Sequence, residues 1–308
     1  MSYFYGPVLS RRLGFSLGVD LIPKKVCSFD CLYCQVGVTT TMTARRFFKV
    51  DLVVFKKELK DILRKQPKID YITFSGSGEP TLHKDLDKLI RIVKKITKNR
   101  YPICVITNSS LLYRKDVRKE LKEADLIVPS LDAAGAKTFH EINRPAKGIT
   151  FKKIVEGLIA LRKEFKGQIW LEIMILANIN DSIKEAKEFK RIVDKVNPDK
   201  IQLNLPVRPA PIKLKLSSKE KIDKIKEIID SNIEVAESSL NKEQKKCLVN
   251  AQDKIMEYLR RRPATLDDLV GSLGLDVKEV NICVNNFIKE NKIKEKVVNK
   301  KCYYIGNN

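Results

Sequence analysis

Histidine is nearly absent from this chain, with two in 308 residues, and tryptophan occurs once. His83 and His140 lie far apart in sequence, which argues against a metal centre built on imidazoles. Long apolar runs are also missing. Stretches such as "LIVPSL" and "WLEIMILA" fall well short of the roughly 20 residues a bilayer-spanning helix needs. The N-terminal "MSYFYGPVLSRRLG" carries no apolar signal-peptide core, so a cytoplasmic location is expected and no membrane contact. The seven cysteines form no paired framework, which points to a reducing compartment. Acidic residues are in deficit as well: 38 Asp+Glu against 60 Lys+Arg leave a formal charge of +22. A field of that sign concentrates polyanions, so RNA or DNA becomes a candidate partner. A heat-adapted, lysine-rich surface accounts for part of the same excess without any partner.

What is present is a repeating unit, a short β-branched run followed by a Lys/Glu-rich amphipathic helix. Strands are expected at "SLGVDLIP" from 16, "IDYITFSG" from 69, "PICVITN" from 102, "DLIVPSL" from 125, "IWLEIMIL" from 169 and "KIQLNLPV" from 200. Helical patterns fall near 51–65, 84–98, 115–122, 151–165, 183–195 and 218–230. Ser182 with Glu185, and Ser217 with Glu220, have capping-box spacing. Near-continuous apolar strands alternating with helices predict an α/β fold with a helix-covered parallel sheet. After residue 250 the order becomes helix, helix, helix, hairpin, with a cap at Thr265 and Asp268 and a turn at Asn299 and Lys300. That order predicts a winged helix-turn-helix. The expected division is a barrel over 1–231, a linker over 232–249 and the winged-helix domain over 250–308.

Three of the seven cysteines crowd into "CSFDCLYC" as Cys27, Cys31 and Cys34, just past the first strand. One loop can fold three thiolates around a single centre, and no fourth stands nearby. Structural zinc prefers four closed ligands, whereas an Fe–S cluster with one unligated iron keeps a position for a substrate. Zinc completed by a distant residue stays open as an alternative. Cys104 reads as a core residue. A second cluster from Cys247, Cys283 and Cys302 lacks any supporting spacing.

These residues resemble the radical S-adenosylmethionine (radical SAM) superfamily. Tyr33 directly precedes the third cysteine, as that pattern prefers, and "FSGSGEPTL" looks like its Gly-Gly-Glu-Pro motif with Ser77 in place of the first glycine. "GPVLSRRLGFSLGVDLIP", "PSLDA" and "EINRP" are similar to one branch of poorly characterised Fe–S oxidoreductases, in places like the wyosine-forming tRNA enzymes. The likeness spans about residues 5–210. It implies a partial (β/α)6 TIM-like barrel in which Cys27, Cys31 and Cys34 hold a [4Fe–4S] cluster. S-adenosylmethionine would bind the fourth iron and, on reduction by an unidentified electron donor, yield a 5′-deoxyadenosyl radical.

By the same resemblance Glu79 takes the ammonium of the methionine part, with Ser77 and Gly78 letting the backbone approach. Asn108, Ser130 and Asp132 fall at strand ends where polar side chains can meet ribose hydroxyls; turn formation explains each equally well. Arg144 suits the carboxylate of S-adenosylmethionine, or is simply a surface arginine. Glu172 and Asn204 interrupt apolar strands and are expected to face the barrel interior and touch cofactor or substrate. RNA, tRNA first, is the favoured substrate. A small metabolite, a protein side chain, or a DNA-binding regulator sensing redox state or S-adenosylmethionine remain as alternatives. Residues 250–308 hold 11 Lys or Arg and 8 Asp or Glu, so most of the positive charge lies on the barrel. Oligomeric state is not legible.

Overall fold

The computed structural model describes residues 2–10, 12–230, 233–235 and 251–307. Strands β1 (Phe4–Ser10) and β2 (Gly14–Val19) form an antiparallel hairpin. A long loop follows, stiffened only by the two-residue strands β3 (Val26–Cys27) and β4 (Thr41–Met42). Then come α1 (Leu52–Arg64), β5 (Tyr71–Phe74), α2 (Leu86–Thr97), β6 (Ile103–Thr107), α3 (Lys115–Leu121), β7 (Leu126–Pro129), α4 (Ala136–Asn143) and α5 (Phe151–Glu164). The series continues with β8 (Gln168–Met174), α6 (Ile183–Val196), β9 (Lys200–Asn204), α7 (Lys219–Ile229) and the short β10 (Glu234–Val235).

Strands β2, β5, β6, β7, β8 and β9 pair in parallel in that order, with β1 antiparallel at one edge and β10 parallel at the other. Because crossovers are right-handed, a sequential order without reversal puts every crossover helix on the same face. The core shows this directly. Ile72, Phe74, Val105, Ile127, Leu171 and Leu203 pack with Phe55, Leu59, Leu89, Leu121, Leu158 and Phe189 from the helices. The alternate positions Cys104, Leu126 and Val128 turn the other way and meet Leu13 of the β1–β2 hairpin. A sheet covered by helices on one face shelters its other face by curling over it, as in TIM-like folds. The expected α/β class and mostly parallel sheet are therefore present. Helix α4 was not expected; its segment "AKTFHEIN" is too short to show a period.

Two helix starts differ in detail from expectation. Ser182 accepts from the Glu185 amide, but the Glu185 carboxylate turns to Thr138 and the Ala134 amide, so that box is half formed. At α7 the cap is Ser218, while Ser217 donates to Asp181. The C-terminal segment comprises α8 (Ala251–Arg261), α9 (Leu266–Leu273) with a complete Thr265–Asp268 capping box, α10 (Val277–Lys289), and the hairpin β11 (Ile293–Val298) and β12 (Lys301–Gly306). Asn299 and Lys300 make its turn, both with positive φ. These elements share a second core that takes in Val8 of β1. Apart from 233–235, the expected linker at 232–249, Cys247 included, lies outside the described residues. Among the described residues no helix is long and apolar enough to cross a membrane.

A 3₁₀ turn, Pro80–Leu82, follows β5 and ends on His83, which is buried with Nδ1 accepting from the Asp85 amide at 3.2 Å. Burial lowers the His83 pKa from 6.5 to about 4. The unfolded chain therefore binds the extra proton between these values, and stability present at pH 7 is lost as pH falls from 6.5 towards 4. About 3 kcal/mol is at stake. Urea unfolding across this range should show that loss in the parent protein and a flatter profile in His83→Asn.

Candidate active site

The strand ends of the parallel sheet converge on the loop between β2 and α1, which carries Cys27, Cys31 and Cys34. Two neighbours clasp this loop. On one side the Lys25 amide donates to the Ser77 carbonyl, and Gly78 lies so close that a Cβ there would stand 2.2 Å from the Val26 carbonyl oxygen. On the other, the end of α4 receives Leu32 N on the Ile142 carbonyl and Asp30 N on the Asn143 carbonyl. Within the loop, Lys25 O accepts Thr40 N and Thr41 N, and Cys27 O accepts Thr43 N.

Each of the three sulfurs has a side-chain N–H donor. Lys25 Nζ lies 3.4 Å from Cys34 Sγ, Asn108 Nδ2 3.5 Å from Cys27 Sγ, and Asn143 Nδ2 3.4 Å from Cys31 Sγ. Burial pushes the Cys27 thiol up to about 12, with the Glu79 charge adding to it. Burial also lifts Cys31 well above the ordinary thiol value, followed by the charges of Asp132, Cys27 and Cys34. The charge of Cys34 adds to the rise at both. Among the described residues, however, no three His, Cys, Asp or Glu side chains stand close enough to share one metal ion. Three thiols on one loop are the donor type of an Fe–S cluster and of a thiolate-rich zinc site alike.

Glu79 is buried beside Cys27, and its carboxylate is held by four donors. Oε1 accepts from Thr81 N, Thr81 Oγ1 and Thr107 Oγ1, and Oε2 from Asn108 N at 2.8 Å. Burial raises its pKa and these hydrogen bonds pull it back. Most of its accepting capacity on Oε1 is taken, leaving Oε2 the freer oxygen.

The other expected contacts find protein partners of their own. Ser77 donates to Asp20 Oδ2 at 2.6 Å, making Asp20 a member of the site that sequence reasoning missed. Asn108 points at Cys27 and Ser28, and its Oδ1 accepts Ser110 N. Asp132 is consumed by Tyr33 OH, Asn143 Nδ2 and Met174 N, so it orients Tyr33 and Asn143. Ser130 bridges to Glu172 along the sheet, and its carbonyl accepts from Ser109 Oγ. Arg144, at the end of α4 and half exposed, faces Asp30 at 3.6 Å and is not drawn into the centre.

Glu172 does face away from the helices, yet it pairs with Arg12, which rises from the β1–β2 hairpin. Beside it, Gln202 Oε1 and Asn204 Oδ1 are buried acceptors without a hydrogen-bond partner among the described residues. Gln202 was visible as a polar residue in an apolar strand, like Asn204. Lys25 and Asn143 carry no such signal: one sits in a basic pair before the cysteines and the other in a helix that was not expected.

The sequence profile described as "Radical SAM superfamily" matches residues 21–190. A UPF0026 protein of Helicobacter pylori is 30% identical over 269 residues, covering 86% of this chain and 85% of its own. A Brachyspira hyodysenteriae protein named GTPase Obg is 41% identical over 309 residues and 98% of this chain, which spans only 45% of that relative's length. A Nitratidesulfovibrio vulgaris protein named dual-specificity RNA methyltransferase RlmN is 27% identical over 188 residues, 58% of this chain and 49% of its own. Among solved structures, TYW1 with a lysine-pyruvate adduct bound aligns over 74% of this chain and 76% of its own at 20% identity, with a TM-score of 0.54, a likeness of fold. With a profile that covers more than half its length and a relative matched nearly end to end, the chain belongs to the radical SAM superfamily, whose enzymes use a [4Fe–4S] cluster and S-adenosylmethionine.

Proposed function

We propose that this chain is a radical SAM enzyme acting on RNA, with tRNA the first substrate to try, and that Cys27, Cys31 and Cys34 hold its cluster. One observation carries the reading: three thiols on one loop, each supplied with an N–H donor, beside a buried carboxylate at Glu79. The donor set fits a three-thiolate cluster in kind. When bound and reduced by a one-electron donor, the cluster and S-adenosylmethionine supply a 5′-deoxyadenosyl radical that takes a hydrogen atom from the substrate.

The chain's own part is binding, orientation and exclusion of water. Glu79 Oε2 offers the ammonium of S-adenosylmethionine a negative partner already fixed by the Asn108 amide. Tyr33, tied to Asp132, screens the Cys31 side. Asn204 Oδ1 and Gln202 Oε1 are acceptors waiting for donors within the barrel, while Leu13 and the Arg12–Glu172 pair close its far end against solvent. Arg144 is a rim residue in this reading. RNA is favoured by the charge of +22 and by the name of the 27% relative. We read the C-terminal elements as a winged helix: Asn281, Asn285 and Asn286 lie on the exposed face of α10. The GTPase name of the Brachyspira relative does not enter, since "SGSGEP" lacks the lysine of a phosphate loop.

Anaerobic reconstitution with iron and sulfide, reduction, and assay for 5′-deoxyadenosine tests the core claim. Turnover should appear in the parent, vanish in Cys31→Ser and rise severalfold with bulk tRNA; no product from a loaded protein would sink it. Lys25→Met removes a buried cation next to Cys34 and should lower the cluster's midpoint potential by about 60 mV, the one-electron equivalent of about 1.4 kcal/mol, read by EPR-monitored titration. Gly78→Ala drives a methyl group into the Val26 carbonyl. It should cost about 1–3 kcal/mol of stability and reduce iron loading, measured by denaturation and by iron content.

A further inference from the structure

We propose that Arg208 and Arg262 form a phosphate site at the seam between the C-terminal helices and the cysteine loop, where it takes a backbone phosphate of the substrate strand. The proposal rests on the RNA reading above only for the identity of that strand.

The seam is built from both ends of the chain. Tyr303 OH donates to the Val207 carbonyl at 2.8 Å, Lys296 Nζ reaches the Ala210 carbonyl at 3.4 Å, and Val8 of β1 lies in the C-terminal core. The segment after β9 and the edge strand β1 are thereby held by the same small body. Into this seam α8 delivers the run "RRRP", Arg260 to Pro263.

The members of that run are used differently. Arg261 has carboxylates beside it: it pairs with Glu257 at 3.0 Å and Asp20 at 3.6 Å and lies over the Tyr5 ring, although its Nε makes no hydrogen bond among the described residues. Arg262 stacks on Tyr258, with its guanidinium carbon 4.4 Å from the ring centroid, yet its Nη2 is buried and meets no acceptor among the described residues. Arg208 approaches it from the other side. Its contacts are all long: Gln35 Oε1 and the Pro263 carbonyl at 3.4 Å, and Asp268 at 3.8 Å. The carboxylate nearest Arg208, Asp268, is already engaged in capping α9. Burial and the charge of Arg208 both pull the Arg262 pKa down, as expected for a cation short of counter-charge.

A buried guanidinium with a bare N–H is costly unless an anion completes it, and planar forks of this kind match phosphate oxygens. The position is informative. Gln35 follows Cys34 directly, so a phosphate held by Arg208 lies at the rim of the cysteine loop, and the nucleotide attached to it falls at the mouth of the barrel.

The test uses the full chain after cluster reconstitution, with fluorescence anisotropy of a labelled tRNA transcript at rising salt. The double variant Arg208→Gln/Arg262→Gln should lose at least tenfold in affinity, and its log–log salt slope should fall by about 0.8, the share of one phosphate. The charge-matched control Lys184→Gln/Lys187→Gln on the exposed face of α6 should change neither by as much, and Arg208→Lys/Arg262→Lys, which keeps the charges without the planar forks, should restore only part of the binding. Unchanged affinity in the Gln double variant, or equal loss in the control, overturns the site while the RNA reading survives. A second probe separates the two claims. Pyrophosphate should raise the melting temperature of the parent more than that of the Gln double variant. If it does so although tRNA does not bind, the phosphate site stands and the RNA reading falls; if neither probe distinguishes the variant, the site falls.

Discussion

Everything in the site depends on how an almost structureless loop is held still. Between β2 and α1 only the two-residue strands β3 and β4 are regular, yet the sulfurs at Cys27, Cys31 and Cys34 have fixed neighbours. The solution is reciprocal satisfaction. Helix α4 ends with carbonyls that have no intrahelical donor, and the loop has amides that have no strand partner. Leu32 N and Asp30 N fill the first need with the second, at Ile142 and Asn143. Opposite, the absence of a side chain at Gly78 lets the Val26 carbonyl approach closely enough for Lys25 to bond Ser77. At about 1 kcal/mol per hydrogen bond the clasp is modest in energy, but each bond fixes the direction of a neighbouring cysteine.

The electrostatics explain why the clasp carries cations and amides and few acids free to act. Burial raises the pKa of Asp20, Glu79 and Asp132 alike, and each is drawn back by hydrogen bonds. Three thiolates in the same space add more negative charge, and the C-terminal end of α4 contributes its own partial negative charge. Lys25, 6% exposed, is the nearest compensating cation, and Asn108 and Asn143 bring N–H dipoles to the two sulfurs it does not reach. A site of this sign favours a metal cluster over empty thiolates, since iron brings the positive charge that burial withholds.

The scaffold was legible because it is written locally. Apolar runs of four to seven residues alternating with 3.6-residue periodicity mark β5 to β9 and their helices, and each was placed within a few residues. The cysteine triplet and "SGSGEP" were legible because loop chemistry is carried by residue type and spacing. What escaped was set by distant partners. Nothing near Glu172 in sequence announces Arg12, and nothing near Asp132 announces that Tyr33 and Asn143 will use up its oxygens. Asn108 was assigned to a sugar because it stands at a strand end, and only the folded loop brings Cys27 to it. Helix α4 was missed for a related reason: it is held by Phe139 packing on Phe29 of the loop, a tertiary contact.

Edge strands explain the remaining architecture. A sheet that curls without closing leaves two edges, and unpaired backbone on an edge strand invites association with other chains. Here β10 terminates one edge in two residues, and β1 is covered on its side by α8 and α9 through Val8. The C-terminal elements therefore have a structural reason to sit where they do, independent of any nucleic acid. That reason accounts for the apolar contact and for Arg261, whose every partner is internal. It does not account for Arg262, since covering an edge strand needs no guanidinium without a carboxylate partner among the described residues, and Tyr258 would be packed as well by an apolar side chain. Net charge conceals this. The C-terminal segment contributes only +3 of the +22, yet it places Arg261 and Arg262 at the seam, where Arg208 reaches Gln35 of the cysteine loop. Where a charge stands, and whether anything answers it, says more about a ligand than the total does.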